Sequence, residues 1–258
     1  MAIRSAMGWS TADKLVVLGK DLPSEILGKI DLTGMAYLEL TGRLPTAQEA
    51  NVFNAIVVTL VEHGITPSAL AARLTFLGAP ESLQGAVAAG LCGVGSVFVG
   101  STEGAAKVLL DAIPDPKTPG NIEQLAIDVV AILRAEKAQI PGIGHPIHKP
   151  IDPRTPRLFQ IAKENGFSGP YIKLMQAISA EAERVTGKSL PINATGAVGA
   201  IACELGFDWR VCRGLGVIAR SIGLVGHLLE ESRRPIAAEV WHRIETEATA
   251  HVRPKTGV

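Results

Sequence analysis

The sequence predicts an all-α fold, and three observations carry that expectation. Apolar residues recur at helical spacing along most of the chain, almost no stretch alternates apolar and polar over strand length, and glycine and proline gather in a few segments between the periodic runs. Taken in order, Val16 to Leu18 is the one segment that suits a short strand. Thr46-Ala47-Gln48-Glu49 is a capping box, with Thr and Glu three apart, and the run behind it to about Val61 suits a helix buried on most sides. Pro67 can open the next helix, with Leu70 and Leu74 on one face. A helix over 104–113 stops at PDPKTPG. Residues 122–138 form an amphipathic helix, and 155–188 form two more polar helices split at GFSGP. Residues 197–203 and 211–229 return to apolar helix. Gly- and Pro-rich loops at 141–156 and 189–196 bracket the polar part, so a small helical domain (144–196) is expected as an insertion in a larger one (1–143 and 197–258).

Composition narrows the function classes. The chain has 258 residues, 47% of them hydrophobic, with 25 basic against 25 acidic side chains. A neutral balance argues against nucleic acid or an anionic membrane as main partner, since both call for a basic excess. Cys92, Cys203 and Cys212 have no CxxC spacing and read as idle thiols in a reducing compartment, with no metal site. The N-terminus lacks the apolar core of a signal peptide, so a cytoplasmic location is expected. Residues 82–102 carry no charge, but five glycines suit close helix packing followed by a tight loop better than a membrane span.

The densest chemistry lies in GIGHPIHKPIDPR, residues 142–154. Gly142 and Gly144 let the backbone turn tightly around His145, and Pro146 and Pro150 stiffen it. Lys149 and Arg154 are carboxylate- and phosphate-binding types, and Arg can bind bidentately. Such a loop is either a solvated surface turn or a rigid mount for a reacting histidine.

This loop resembles the GxGHxVxxxxDPR segment of the citrate synthase superfamily. Four more segments resemble the superfamily in the same order. They are residues 20–30 with YLELTGRLP at 37–45, Glu62-His63-Gly64, GSVFVGS at 95–101 with Ala105-Ala106-Lys107, and ARSIGLVGH at 219–227. The likeness runs from about residue 15 to 236, and the short length and Phe98 are most similar to citryl-CoA lyases, stand-alone or as the lyase module of ATP-citrate lyase. It implies a citrate synthase-like all-α fold with a small CoA-side domain, and a homodimer or higher homo-oligomer in which Arg234, or Arg233, reaches the neighbouring subunit. It also implies cleavage of citryl-CoA to acetyl-CoA and oxaloacetate, with the coenzyme A thioester as small-molecule substrate and no resident cofactor. By the same resemblance, His145 meets the citryl hydroxyl or oxaloacetate carbonyl. His63, Arg154, Arg220 and Arg234 bind substrate carboxylates beside Phe98, and Lys149 with Gly144 lies toward the CoA phosphates. Arg220 also stands out by itself: an arginine in mid-helix among apolar residues needs an anion or an acid beside it. His148 and His227 are expected at the surface or in packing.

One position departs from the pattern. The superfamily aspartate that moves the proton at the acetyl carbon aligns with Thr195, in LPINATGAVG. Threonine has no acid or base function near neutrality. Three readings stand: a lyase with a substitute proton donor, an enzyme for a different acyl-CoA with Thr195 contacting the altered substrate, or a homologue that binds CoA esters or organic acids without turnover.

Overall fold

The computed structural model describes residues 2–144 and 150–253. Helices dominate them, as the periodicity predicts, and the sheet is confined to the N-terminus. There, strands β1 (Gly8–Ser10), β2 (Leu15–Val17) and β3 (Lys20–Asp21) form an antiparallel meander with Trp9 opposite Val16 and Val16 opposite Asp21. The expected strand at 16–18 is therefore the middle of three. Its partners span only two or three residues, too few for a period-two signal. A π-helical turn at Leu22–Ile26 follows.

The helices are α1 (Leu32–Thr41), α2 (Ala47–Val61), α3 (Pro67–Gly78), α4 (Leu83–Cys92), α5 (Gly100–Ala112), α6 (Ile122–Ala135), α7 (Arg154–Glu164), α8 (Pro170–Thr186), α9 (Ala194–Glu204), α10 (Trp209–Arg233) and α11 (Ala237–Thr249). The capping box closes reciprocally: Glu49 N–H donates to Thr46 Oγ1 at 3.2 Å, and Thr46 N–H donates to Glu49 Oε2 at 2.8 Å. Helix α6 stops at Ala135, short of the expected 138, where Lys137 takes a left-handed conformation with φ of 55°. Helix α9 starts at 194 rather than 197, because Asn193 caps it by accepting from Gly196 N–H.

The chain divides into two compact units. One comprises the chain up to Thr59 with Ser101–Cys212, and the other Leu60–Gly100 with the chain from Arg213 onward. The described residues of 144–196 lie within the first. That unit has an aromatic cluster in which Tyr37, Phe53 and Phe207 have ring centroids 5.4 to 5.7 Å apart. Helix α8 packs on α6 and α9, and α7 on α9. Nearly all of α9 is buried, and its small residues permit that: a Cβ on Gly199 would stand 2.9 Å from the Thr102 carbonyl.

In the second unit α3 packs on α4, and Ala72, Ala86, Leu224 and Leu228 form a core flanked by Phe76, Val87 and Leu91. The uncharged run at 82–102 thus supplies α4, whose Gly90 would place a Cβ 2.7 Å from Leu224, and then a series of turns. Among the described residues the helix long and apolar enough to cross a membrane is instead α10. Its Leu215, Ala219, Leu224 and Leu228 are fully buried, and it carries buried Arg220 and Glu231, the marks of a core helix.

Candidate functional site

In the first unit the backbone on either side of the 142–154 loop is stitched to the segment before α9. Gly144 N–H donates to Pro191 O at 2.7 Å, Asn193 N–H donates to Gly142 O at 3.0 Å, and Asn193 Nδ2 donates to Gly144 O at 2.7 Å. Gly142 makes this approach possible. Its φ is 84°, and a Cβ there would lie 2.5 Å from the Gly196 Cα.

Asp152 anchors the far side of the loop. Its side chain is fully buried and accepts from Arg154 Nε at 3.0 Å, Arg154 Nη2 at 2.8 Å, Arg154 N–H at 3.1 Å and Ala194 N–H at 2.9 Å. Burial pushes the carboxyl pKa up, but the hydrogen bonds from Arg154 and Ala194 outweigh it and hold the group down at about 2. One aspartate therefore ties the start of α7 to the start of α9 and fixes how the Arg154 guanidinium points.

Thr195 sits in a polarised chain of hydroxyls. Asn193 Oδ1 is an acceptor only, and it receives Gly196 N–H and, at 2.6 Å, the Thr195 hydroxyl. The Thr195 proton is thereby committed, and its oxygen accepts from Ser101 Oγ at 2.7 Å. In this arrangement Thr195 is not a donor toward a substrate.

The second unit holds a chain of hydrogen-bonded polar side chains, buried at Arg73, His227 and Glu231 and about half-exposed at Glu62 and Glu230. Arg73, 1% exposed, donates to Glu231 Oε2 at 2.7 Å, to His227 Nδ1 at 3.2 Å through Nε, and pairs with Glu230. Arginine is only a donor, so His227 Nδ1 accepts, and Nε2 faces Glu62 at 3.1 Å with the proton. Glu62 also accepts the backbone N–H groups of His63 at 2.8 Å and Gly64 at 2.5 Å. Burial raises the Glu62 pKa, but the two backbone donors and His227 bring it below the ordinary carboxylate value. Glu231 in turn receives the N–H groups of Ile236 and Ala237 with its other oxygen.

Arg220 differs from all of these. It is 7% exposed, and its Nε and Nη1 are buried with no hydrogen-bond partner among the described residues. Desolvation lowers its pKa, and only the charge of Glu62 opposes this.

Of the other residues expected at the site, His63 is exposed in the turn after α2, and Phe98 is 48% exposed in the turns before α5. Arg234 follows the last turn of α10, and with exposed Arg233 it borders a depression shared with Leu229 and Glu230. His145, His148 and Lys149 lie outside the described residues. His227 is buried, with both ring nitrogens hydrogen-bonded in the network around Arg73 and Glu62. Sequence reasoning did not single out Asp152, Asn193, Ser101, Glu62 or Arg73 as site residues. Arg73 carries the same signal as Arg220, an arginine in a mainly apolar helix. Asn193 carries a capping signal ahead of a small-residue run.

The two units define an all-α protein whose cationic side chains are mounted at helix ends and on helix faces. The chain matches the citrate synthase C-terminal domain over residues 27–241, and it belongs to the citrate synthase family. It is 27% identical over 206 residues, 73% of its length, to ATP-citrate synthase beta chain protein 2 of Arabidopsis thaliana, and spans about a third of that relative (33%). It is 25% identical over 193 residues to citrate synthase 2 of Bacillus subtilis, covering 74% of this chain and 50% of that one. Among solved structures, citryl-CoA lyase from Hydrogenobacter thermophilus matches with a TM-score of 0.80 and 34% identity over 90% of this chain and 87% of that one. ATP citrate lyase from Methanothrix soehngenii, solved with citrate and coenzyme A, shares the fold at a TM-score of 0.75 and 23% identity, covering 90% of this chain and 39% of that one.

Proposed function

We propose that the chain is a carbon–carbon lyase that cleaves citryl-CoA, or a closely related hydroxyacyl-CoA, to acetyl-CoA and oxaloacetate. The observation that carries this is Arg220: a guanidinium buried with two unpartnered N–H-bearing nitrogens is costly unless an anion completes it. The polycarboxylate half of citryl-CoA is such an anion. The likeness to a citryl-CoA lyase at nearly equal chain length supports the choice of substrate.

Arg220, Arg154 and His63 bind the carboxylates. His145 accepts the proton of the tertiary hydroxyl as C–O becomes C=O, and later returns it to the hydroxide left when water protonates the enolate. The carbon–carbon bond breaks, and its electron pair enters the thioester enolate, which regains a proton at carbon. Asp152, held ionised down to about pH 2, and Thr195, whose proton is committed to Asn193, are both poor sources of that proton, so water supplies it. Lys149 and Gly144 lie toward the CoA phosphates, residues 144–196 act as the CoA-side domain, and Arg234 completes the site of the second copy in a homodimer. The thioester is substrate rather than resident cofactor, and the setting is the cytoplasm, with neither nucleic acid nor membrane as partner.

A second reading, a binding protein without turnover, is favoured by one feature: no titrating side chain replaces the family aspartate at Thr195. Oxaloacetate release from citryl-CoA separates the two. Release by the natural chain, abolished in His145→Ala, is the expected outcome. Release that survives His145→Ala sinks the mechanism. Release only after Thr195→Asp, or none with either chain, favours the binding reading.

A further inference from the structure

We propose that Glu62 is a resident counter-ion for Arg220, a positioning residue whose negative charge an incoming substrate carboxylate must work against. The inference deepens the proposed function, since it concerns the anion site of that reading. Three geometric facts place Glu62 there. Arg220, Gly223 and His227 fall at i, i+3 and i+7, on one face of α10. The Glu62 Oε2 lies 3.2 Å from where a Cβ on Gly223 would stand, and a Cβ there would also run into the Val61 carbonyl, so only glycine lets the end of α2 settle on this face. One turn further along, His227 Nε2 holds Glu62 at 3.1 Å and is itself braced by Arg73. Glu62 thus lies over the turn between Arg220 and His227, fixed by two backbone donors and a histidine, none of which depends on Arg220.

The pair is close without being joined. Arg220 Nε and Nη1 make no hydrogen bond to Glu62 or to any described residue. Glu62 therefore offsets part of the cost of the buried guanidinium while leaving its donors for a ligand. A carboxylate arriving at Arg220 meets a cation that is ready, and also a neighbouring negative charge that weakens its attraction. This arrangement keeps the empty protein stable and the bound anion releasable. A retro-aldol enzyme needs the second property, because oxaloacetate must leave.

Glu62→Gln keeps the shape and one acceptor oxygen but removes the charge. By linkage, the variant should melt at a lower temperature when empty, bind citrate about tenfold more tightly, and show a larger rise in Tm with saturating citrate than the natural chain. A lower Tm with unchanged citrate affinity would mean that Glu62 only caps the turn, and would overturn the proposal. An absence of citrate binding by the natural chain would instead count against the anion-site reading itself. Should Glu62→Gln fail to fold, the double variant Glu62→Gln with Arg220→Gln decides. Recovery of a cooperative melt shows that the two charges offset each other, and an equally unfolded double variant overturns the proposal.

Discussion

Arg154 and Arg220 enter from the same sequence argument, as two cations expected to bind carboxylates, and the fold treats them oppositely. Arg154 is held bidentately by Asp152, which also caps α9, so its guanidinium is part of the framework and offers a ligand only what the pair leaves over. Arg220 is more deeply buried and has no hydrogen-bond partner for two of its nitrogens among the described residues. A paired arginine contributes to architecture whether or not a ligand comes. An unpaired one costs stability until a ligand comes, and a cost of that kind survives in a fold when the site is used. Arg73 marks the other extreme: it is as buried as a side chain can be, and fully paired.

The contrast between paired and unpaired arginines breaks most visibly at Arg73. Arg73→Ala strands Glu231 and takes the brace from His227, so it should cost about 3–5 kcal/mol, the range for removing one partner of a buried ion pair. Denaturant unfolding reads it, and a loss below about 1 kcal/mol would show that the network is not structural. Arg220→Gln should behave in the opposite sense. The empty protein should be as stable as the natural chain or more so, while citrate affinity falls by about 100-fold, the scale of a charge-assisted contact to a carboxylate. A destabilised Arg220→Gln that still binds citrate would erase the distinction between the two arginines.

The sequence shows the framework better than the site. Helices such as α2 and α6 are readable because capping and periodicity are local: Thr46 and Glu49 are three residues apart, and so are Asn121 and the Gln124 it caps. Arg220 is readable for a different reason, since the cost of burying a cation needs no knowledge of the partner. Asp152 is not readable, because what gives it meaning is the N–H of Ala194, 42 residues away. Glu62 is not readable either: its side chain is about half-exposed, and what gives it meaning is His227, 165 residues on, and the tight packing of Gly223 on the end of α2. Thr195 is readable as a departure from the family pattern, but that its oxygen accepts from Ser101, 94 residues earlier, is not.

The smallest effect sharpens the Arg154 side of the comparison through pH. The Asp152 carboxyl titrates at about 2 in the fold, against an ordinary value of 3.8. A depressed carboxylate pKa adds stability that is fully present above the unfolded value and is lost as pH falls through the folded one. Asp152 should therefore contribute about 2 kcal/mol at neutral pH, draining away between about pH 4 and pH 2. The side chain is fully buried, so salt screens this contribution little. Unfolding free energies of the natural chain and Asp152→Asn, measured from pH 7 down to pH 2, isolate it from the other carboxylates, which are common to both. The gap between the two proteins should narrow as pH drops through that window and hold steady above it. A gap that stays constant down to pH 2 would mean that Asp152 works through shape and hydrogen bonding alone. The charge pair would then not be what fixes Arg154.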